Sequence, residues 1–226
     1  MNICYIFNMI TVPEATKKIV ERSRYLVEAM SKNLINYSSL ARYIKPELEQ
    51  MLMKPVSEAS ILMSLKRLEK EMQPKFVPLK IFTSPPDMIV RSNLIELSLQ
   101  NSEKLADSFQ KLFEAHKKNR SSFFTITEGI SETGIIVSRD LEHEVKEILK
   151  GEEILTELSN LSALTIRMPK ENVSTPGVYY FFLKSLAWEG VNIIEIISTP
   201  LEVTLILQAN DIHRAFEILK SLFEHH

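Results

Sequence analysis

The stretch Ser174–Phe223, STPGVYYFFLKSLAWEGVNIIEIISTPLEVTLILQANDIHRAFEILKSLF, decides the fold of this chain. Thr175 has the residue type of a helix N-cap and Pro176 that of a first helical position, where a missing N–H costs nothing. Leu183, Leu186 and Ala187 recur at helical spacing, and Gly190 closes the helix by tolerating a left-handed backbone. Asn192–Ile197 and Leu201–Leu207 are rich in branched apolar residues and read as strands, with Thr199-Pro200 as the turn between them. Asn210 or Asp211 then caps a last helix whose inner face is Ile212, Ala215, Phe216, Leu219 and Phe223. With Leu161–Met168 as a preceding strand, the order is strand, helix, strand, strand, helix, most of a ferredoxin-like unit.

Those residues also carry a family resemblance. TPGV at 175–178, KSLAWEGVNIIEIIST at 184–199 and AFEILKSLF at 215–223 come in an order and spacing that resembles the last ACT domain of aspartokinases. The resemblance implies a small-molecule sensor, usually of an amino acid, without catalytic residues. It also implies a homodimer, because ACT units generally pair side by side into extended sheets. A ferredoxin-like core without a ligand is the competing reading, since fold alone does not fix function.

Upstream, Met88–Leu99 alternates well enough for a long strand. Asn101 or Ser102 caps a helix carrying Leu105, Phe109, Leu112 and Phe113. Ser122–Thr127 and Gly134–Ser138 read as strands, and Asp140 caps a helix that Gly151 ends. Residues 88–151 thus repeat the order found in 161–223, and this internal repeat is the main organisational feature of the chain. Aspartokinase regulatory regions likewise hold two ACT units in tandem. The first copy departs from the pattern, because Gln100-Asn101-Ser102 stands where the second copy has Pro176-Gly177. Neither copy has an obvious fourth strand; by resemblance, Phe76–Phe82 or Glu153–Leu158 completes one sheet from outside.

The N-terminal third is helical. Thr11-Val12-Pro13-Glu14 has the capping-box form, and Ile19, Val20, Ser23, Leu26, Val27 and Met30 continue one helix. Ser38 or Ser39 starts a short helix that Lys45-Pro46 interrupts. Ser57 caps another helix, running to about Met72, with Ala59, Leu62, Leu65 and Leu68 inward. Short helices with a tight break suggest a helix-turn-helix. NYSSLARYI (36–44) followed by VSEASILMSLKRL (56–68) is similar to the N-terminal segment of archaeal-type regulators that couple a helical domain to ACT modules. That resemblance places Ser57, Ser60, Ser64 and Arg67 on the outer face of a DNA-reading helix, with Lys66 and Lys70 set for phosphate contact. A solvated face on a protein-docking or dimerisation domain is the alternative.

Composition narrows the rest. The 226 residues are 45% apolar and 25% charged, with a net charge of −2. Residues 1–75 carry twelve Lys and Arg against eight Glu, and the remainder fifteen against twenty-one acidic residues. The N-terminal excess is weak for a nucleic-acid domain. No apolar run reaches the roughly twenty residues of a membrane span. The opening MNICYIFNMITV lacks a basic start and a cleavage site, and reads as a first strand or as an over-extended start before Met9. Cys4 is the only cysteine, which excludes an internal disulfide and a cysteine metal site and suits a reducing cytoplasm. His225 and His226 receive no role.

Catalytic constellations are missing: there is no Gly-rich phosphate loop, no His-Glu-x-x-His and no Gly-x-Ser-x-Gly. Asp140, Glu142, His143 and Glu144 read as a solvated first helical turn before a metal cluster. The candidate ligand site is the loop at 172–177, ending at a helix N-terminus whose free N–H groups and positive end favour a carboxylate. Its residues are Ser174, Thr175, Pro176, Gly177 and Val178, with Asn192 and Ile193 facing the same pocket by resemblance. The expectation is therefore an α+β, non-enzymatic regulator without cofactor, metal or membrane attachment. It has a helix-turn-helix-like segment at 1–75 and ACT-like units at 76–152 and 153–226.

Overall fold

The computed structural model describes residues 10–71, 81–119 and 121–224. Two compact units divide the chain, Met1–Val77 and Pro78–His226. The outside strand expected at Phe76–Phe82 lies outside the described residues except for Ile81 and Phe82. Neither of these is in a strand, and both pack on the apolar core of the second unit.

In the N-terminal unit, α1 (Val12–Arg22) starts with the expected capping box. The Thr11 N–H donates to Glu14 Oε2 at 2.8 Å, and the Glu14 N–H donates to Thr11 Oγ1 at 3.4 Å. The helix does not run on to Met30. Ser23 leaves helical geometry and its hydroxyl accepts the Leu26 N–H, so a separate helix, α2 (Arg24–Ser31), begins there. A mid-segment serine satisfies the free N–H groups of a new helix start as well as it decorates an old one. The next helix also departs from expectation. Asn36 caps α3 (Tyr37–Leu52), which passes through Pro46 without ending. Pro46 is exposed, so water can serve the Arg42 carbonyl that its missing N–H leaves free.

Met53 ends α3 in left-handed geometry, and the Glu49 carboxylate accepts the Val56 N–H at 2.9 Å. Ser57 then caps α4 (Glu58–Glu71), its Oγ accepting the Ser60 N–H. The core is Ala15, Ile19, Val20, Met30, Leu40, Ala41, Ile44, Leu48, Ile61 and Leu65, from all four helices. On α4 the inner side is Ile61, Ser64, Leu65 and Leu68, with Leu62 half-buried and Ala59 exposed.

The second unit holds one antiparallel sheet of six strands in the order β2-β3-β1-β4-β6-β5. Its first half is β1 (Met88–Gln100), α5 (Leu105–Lys118), β2 (Phe124–Glu128), β3 (Glu132–Ser138) and α6 (Glu142–Ile148). The second half is β4 (Ile154–Arg167), α7 (Val178–Trp188), β5 (Glu195–Thr199), β6 (Glu202–Gln208) and α8 (Ile212–Glu224). Glu153–Leu158 and Leu161–Met168, read from sequence as separate pieces, belong for the most part to the single strand β4.

The two long central strands exchange roles midway. The second part of β1 pairs β3, while its first part, Met88–Arg91, pairs only Ile166–Ala163 of β4. Likewise Leu161–Arg167 of β4 pairs β6, while Ile154–Leu158 pairs Leu99–Glu96 of β1. Each half therefore receives its fourth strand from the other, a ferredoxin-like arrangement twice over.

At the exchange point the register slips by one extra residue on each strand, first on β1 between Arg91 and Leu94, then on β4 between Leu158 and Leu161. Asn93 and Asn160 occupy these bulges with φ of 63° and 58°, a conformation that Asn tolerates better than other residues with a side chain. Bulges bend and twist a strand. Here the sheet curls until Leu94 and Ile136 from the first half meet Leu161, Ala163 and Ile206 from the second, on the face without helices.

On the helix face, Ile95, Leu97, Leu99, Leu105, Leu112, Ile135 and Val137 form the first core. Leu164, Ile166, Phe182, Leu186, Val203, Leu205, Leu219 and Phe223 form the second. Phe182 is buried and lies edge-on to Phe82, and such a side chain contributes about 1.5–3 kcal/mol. A Glu142–Lys146–Glu157 chain of ion pairs ties α6 to β4, at 2.9 and 2.7 Å. It keeps Glu142 below and Lys146 above their ordinary pKa values, Glu142 through the Lys146 hydrogen bond and Lys146 through Glu157 first.

Candidate functional site

The loop between β4 and α7 is built differently from its expected form. A 3-10 turn fills Lys170–Ser174, and α7 begins at Val178 with Gly177 as its N-cap, at φ 83°. Thr175 is not the cap. Its hydroxyl donates to the Glu171 carbonyl at 2.7 Å, as that of Ser174 does at 3.2 Å, so both side chains stabilise the turn behind the helix. Pro176 consequently stands outside the helix, not at its first position. The reason is local: two hydroxyls bonded back to one carbonyl wind the chain into a 3-10 turn, and glycine takes the left-handed step into α7.

No side chain caps α7, and its first turn carries no acidic residue, so the positive end of the helix is not neutralised from within the element. Asn172 donates from Nδ2 to the Tyr179 hydroxyl at 3.3 Å, while its Oδ1 is buried with no hydrogen-bond partner among the described residues. A buried amide oxygen left without a partner is rare in folded proteins. Sequence reasoning placed Asn172 in the loop without naming it as a site residue; only the folded loop reveals the orphaned oxygen.

Val178 is buried, and Ile193 packs against the same apolar cluster. Asn192 is exposed, beside Ile193, in the segment that leads into β5; neither residue is in that strand. Ser174 and Pro176 are exposed, and Thr175 and Gly177 are half-buried.

The corresponding loop of the first half is closed by its own side chains. Asn101 donates to the Gly129 carbonyl at 2.8 Å and accepts from Thr133 at 2.7 Å. Ser102 accepts the Leu105 N–H and donates to Glu152 at 2.7 Å. A groove of about 420 Å³ lies away from both loops, between α7 and α8, lined by Ser185, Trp188, Glu189, Ile218 and Ser221.

On α4, Ser57, Ser60, Lys66, Arg67 and Lys70 are exposed. Ser64 is not on that face. It is buried, and its hydroxyl donates to the Ser60 carbonyl at 2.9 Å. The acidic group near α6 is partnered side chain by side chain: Glu142 with Arg139 and Lys146, Glu144 with Lys118, and Asp140 with the Asn119 amide.

No protein-family model matches the chain, and no curated protein matches it by sequence. Solved structures do. The ligand-free regulatory subunit of aspartate kinase from Thermus thermophilus aligns with 62% of this chain and 99% of its own, at 18% identity and a TM-score of 0.50. The Thermus flavus regulatory subunit gives the same figures. Aspartate kinase from Clostridium acetobutylicum aligns over 62% of this chain and 35% of its own, at 14% identity and a TM-score of 0.52. The second unit alone is long enough to supply that share. Among the described residues no helix is long and apolar enough to cross a membrane. At these identities the likeness is one of fold: the chain carries the mixed α/β, ACT-type fold of aspartate kinase regulatory subunits.

Proposed function

We propose that this chain is a non-catalytic regulator that binds a small carboxylate ligand, an amino acid, at the Gly177 end of α7 and passes the binding free energy to its helical N-terminal unit. The observation that carries the reading is the contrast between the two loops. In the first half Asn101 and Ser102 of the loop are both engaged by hydrogen bonds, whereas in the second Asn172 Oδ1 is buried without a partner among the described residues beside an uncapped, unneutralised helix start. An amide oxygen and free backbone N–H groups match an α-amino and an α-carboxylate group. Ser174, Thr175, Pro176, Gly177, Val178, Asn192 and Ile193 frame that end of the helix, Thr175 and Ser174 by shaping the turn. A homodimer formed through the sheet edges provides the two-state element that a ligand biases.

The helical unit is the output. DNA reading by α4 is supported by Ser57, Ser60, Lys66, Arg67 and Lys70 on one exposed surface, without Ser64. A second reading, docking onto a protein partner, is favoured by Met63 and Tyr43, which are 63% and 79% exposed on α4 and α3. The first experiment is a thermal-shift screen of the full chain against the twenty amino acids. One saturable ligand raises the unfolding midpoint by mass action on the native state. No shift with any of them overturns the sensor reading and leaves the two halves as a scaffold.

A further inference from the structure

The concave face of the sheet carries a charge that the internal repeat does not call for. Glu96 on β1 stands opposite Ile136 and Leu158, so its side chain shares the face of the cluster Leu94, Ile136, Leu161, Ala163 and Ile206. Its Oε2 is buried without a hydrogen-bond partner among the described residues. The curl brings a second carboxylate to the same place. Glu195, at the start of β5, holds Oε2 3.8 Å from the position a Cβ would take on Gly134 of β3, although three strands separate β3 from β5 in the sheet order. Gly134 pairs with Ser98, the next residue after Glu96 on that face.

The charges acting on Glu96 are those of Glu195 on β5 and Glu132 on β3. On the same face β4, β6 and β2 bring the neutral Leu158, Ile206 and Thr125, while the charged Arg167 of β4 and Glu202 of β6 stand opposite one another farther along their strands. Arg91, on the same strand and face, donates to the Ser121 carbonyl at 2.8 Å. Burial first, then Glu195 and Glu132, push the Glu96 carboxyl above its ordinary value.

The repeat supplies an internal control. The operation that carries Asn93 onto Asn160 carries Glu96 onto Ala163, which is fully buried. The one that carries Ile136 onto Ile206 carries Thr125 onto Glu195, since each pairs with the respective isoleucine. The fold thus accepts neutral groups at both positions, and Glu96 and Glu195 are specific to one side of the seam, whereas Glu132 has its counterpart in Glu202.

We propose that Glu96, Glu195 and Glu132 make the seam between the two halves of the sheet a proton-sensitive closure, tight when Glu96 is protonated and loosened when all three carboxylates are charged. The linkage has a definite sign. A carboxyl whose folded pKa is raised holds its proton more firmly in the native state, so stability falls as pH rises from the unfolded value toward the folded one. Above the folded value the full penalty remains.

The test is thermal unfolding of the full chain and of Glu96→Gln and Glu195→Gln between about pH 5 and about pH 7.5, with hydrogen exchange of the Glu195–Thr199 amides and a carbon-13 titration of Glu96. The expected result is a Glu96 titration above that of a solvent-exposed glutamate. The wild-type midpoint and β5 protection should decline with rising pH, and the decline should be reduced in either variant, with Glu96→Gln more stable than wild type near neutrality. A Glu96 titration at the ordinary glutamate value overturns the proposal. So does an unchanged pH dependence in the variants, and should Glu96→Gln not fold, Glu195→Gln carries the comparison alone.

Discussion

Leu94 and Leu161 face one another across the β1–β4 ladder, both buried, and each is the other's image under the internal repeat. Residues 92–94 and 159–161 both read Ser-Asn-Leu. The symmetry extends along the strands: Arg91 pairs with Ala163, and the image of that pair, Leu158 with Glu96, is also paired. A local two-fold axis therefore passes beside the two leucines, flanked by the bulges at Asn93 and Asn160. The curl that makes one body of two repeats is thus set by two short, identical stretches.

Those asparagines should be replaceable by glycine but not by a β-branched residue. In left-handed geometry Asn93→Gly and Asn160→Gly keep the conformation, whereas Asn93→Val and Asn160→Val should each cost about 1–2 kcal/mol. Urea unfolding of the four variants measures this. Valine variants as stable as the glycine ones would show that the bulges do not require the backbone conformation found here.

If α4 reads DNA, its contribution is largely electrostatic. Fluorescence anisotropy with a labelled duplex should show binding that weakens steeply with added salt, through release of condensed counterions. Lys66→Ala with Arg67→Ala should weaken it and reduce the salt slope by about two, one for each phosphate no longer neutralised. An absence of binding even at low salt removes the DNA reading and leaves the exposed Met63 and Tyr43 as the surface to examine for a protein partner.

The capping box at Thr11 predicts a pH dependence of opposite sign to that of the sheet seam. The Thr11 backbone N–H, then its hydroxyl, hold the Glu14 carboxyl below its ordinary value. A depressed carboxylate contributes stability that is present above the unfolded pKa and lost as pH falls through the folded one. Glu14→Gln should therefore matter near neutrality and cease to matter in acid, and Thr11→Ala should cost about 1 kcal/mol at neutral pH. Circular dichroism melts of the full chain at both pH extremes decide it. An effect of Glu14→Gln that persists in acid contradicts the charged cap.

Much of this architecture was legible in the sequence because it rests on local chemistry. The capping box, Ser57 as a cap, the order of elements in each repeat and the left-handed Gly151 and Gly190 follow from residue types at fixed offsets. What failed was decided by competition between neighbours. Thr175 has the right side chain for a cap, yet the Glu171 carbonyl takes its hydroxyl and Gly177 takes the position. Ser64 has the right type for an exposed face, yet the packing of Ile61 and Leu65 turns it inward. Pro46 has the type of a breaker, yet solvent on its side lets α3 continue. Met88–Leu99 reads as one long strand, and by resemblance Glu153–Leu158 is one of two segments offered to complete a sheet from outside, which its pairing with β1 bears out. The continuity of β4 was hidden because its two parts look, in sequence, like separate short strands. The Ser-Asn-Leu repeat was the signal that could have placed it, and the orphaned Asn172 oxygen had no signal at all.

That oxygen separates ligand recognition from folding at the proposed site. Asn172→Ala removes a buried acceptor that lacks a partner and a single 3.3 Å hydrogen bond to Tyr179, so the unfolding midpoint of the ligand-free chain should change little. It should nevertheless abolish the ligand-induced shift, because an unpaired acceptor is satisfied only when a donor binds. Gly177→Ala should behave in the reverse way at first sight, lowering stability by about 1–2 kcal/mol through left-handed strain at φ 83°. Its effect on ligand affinity then reports how closely the ligand approaches the backbone. Isothermal titration of both variants with whichever amino acid stabilises the wild type distinguishes the cases. Asn172→Ala binding at wild-type affinity would remove the side chain from the recognition, and affinity retained in Gly177→Ala as well would move the ligand away from this end of α7 altogether.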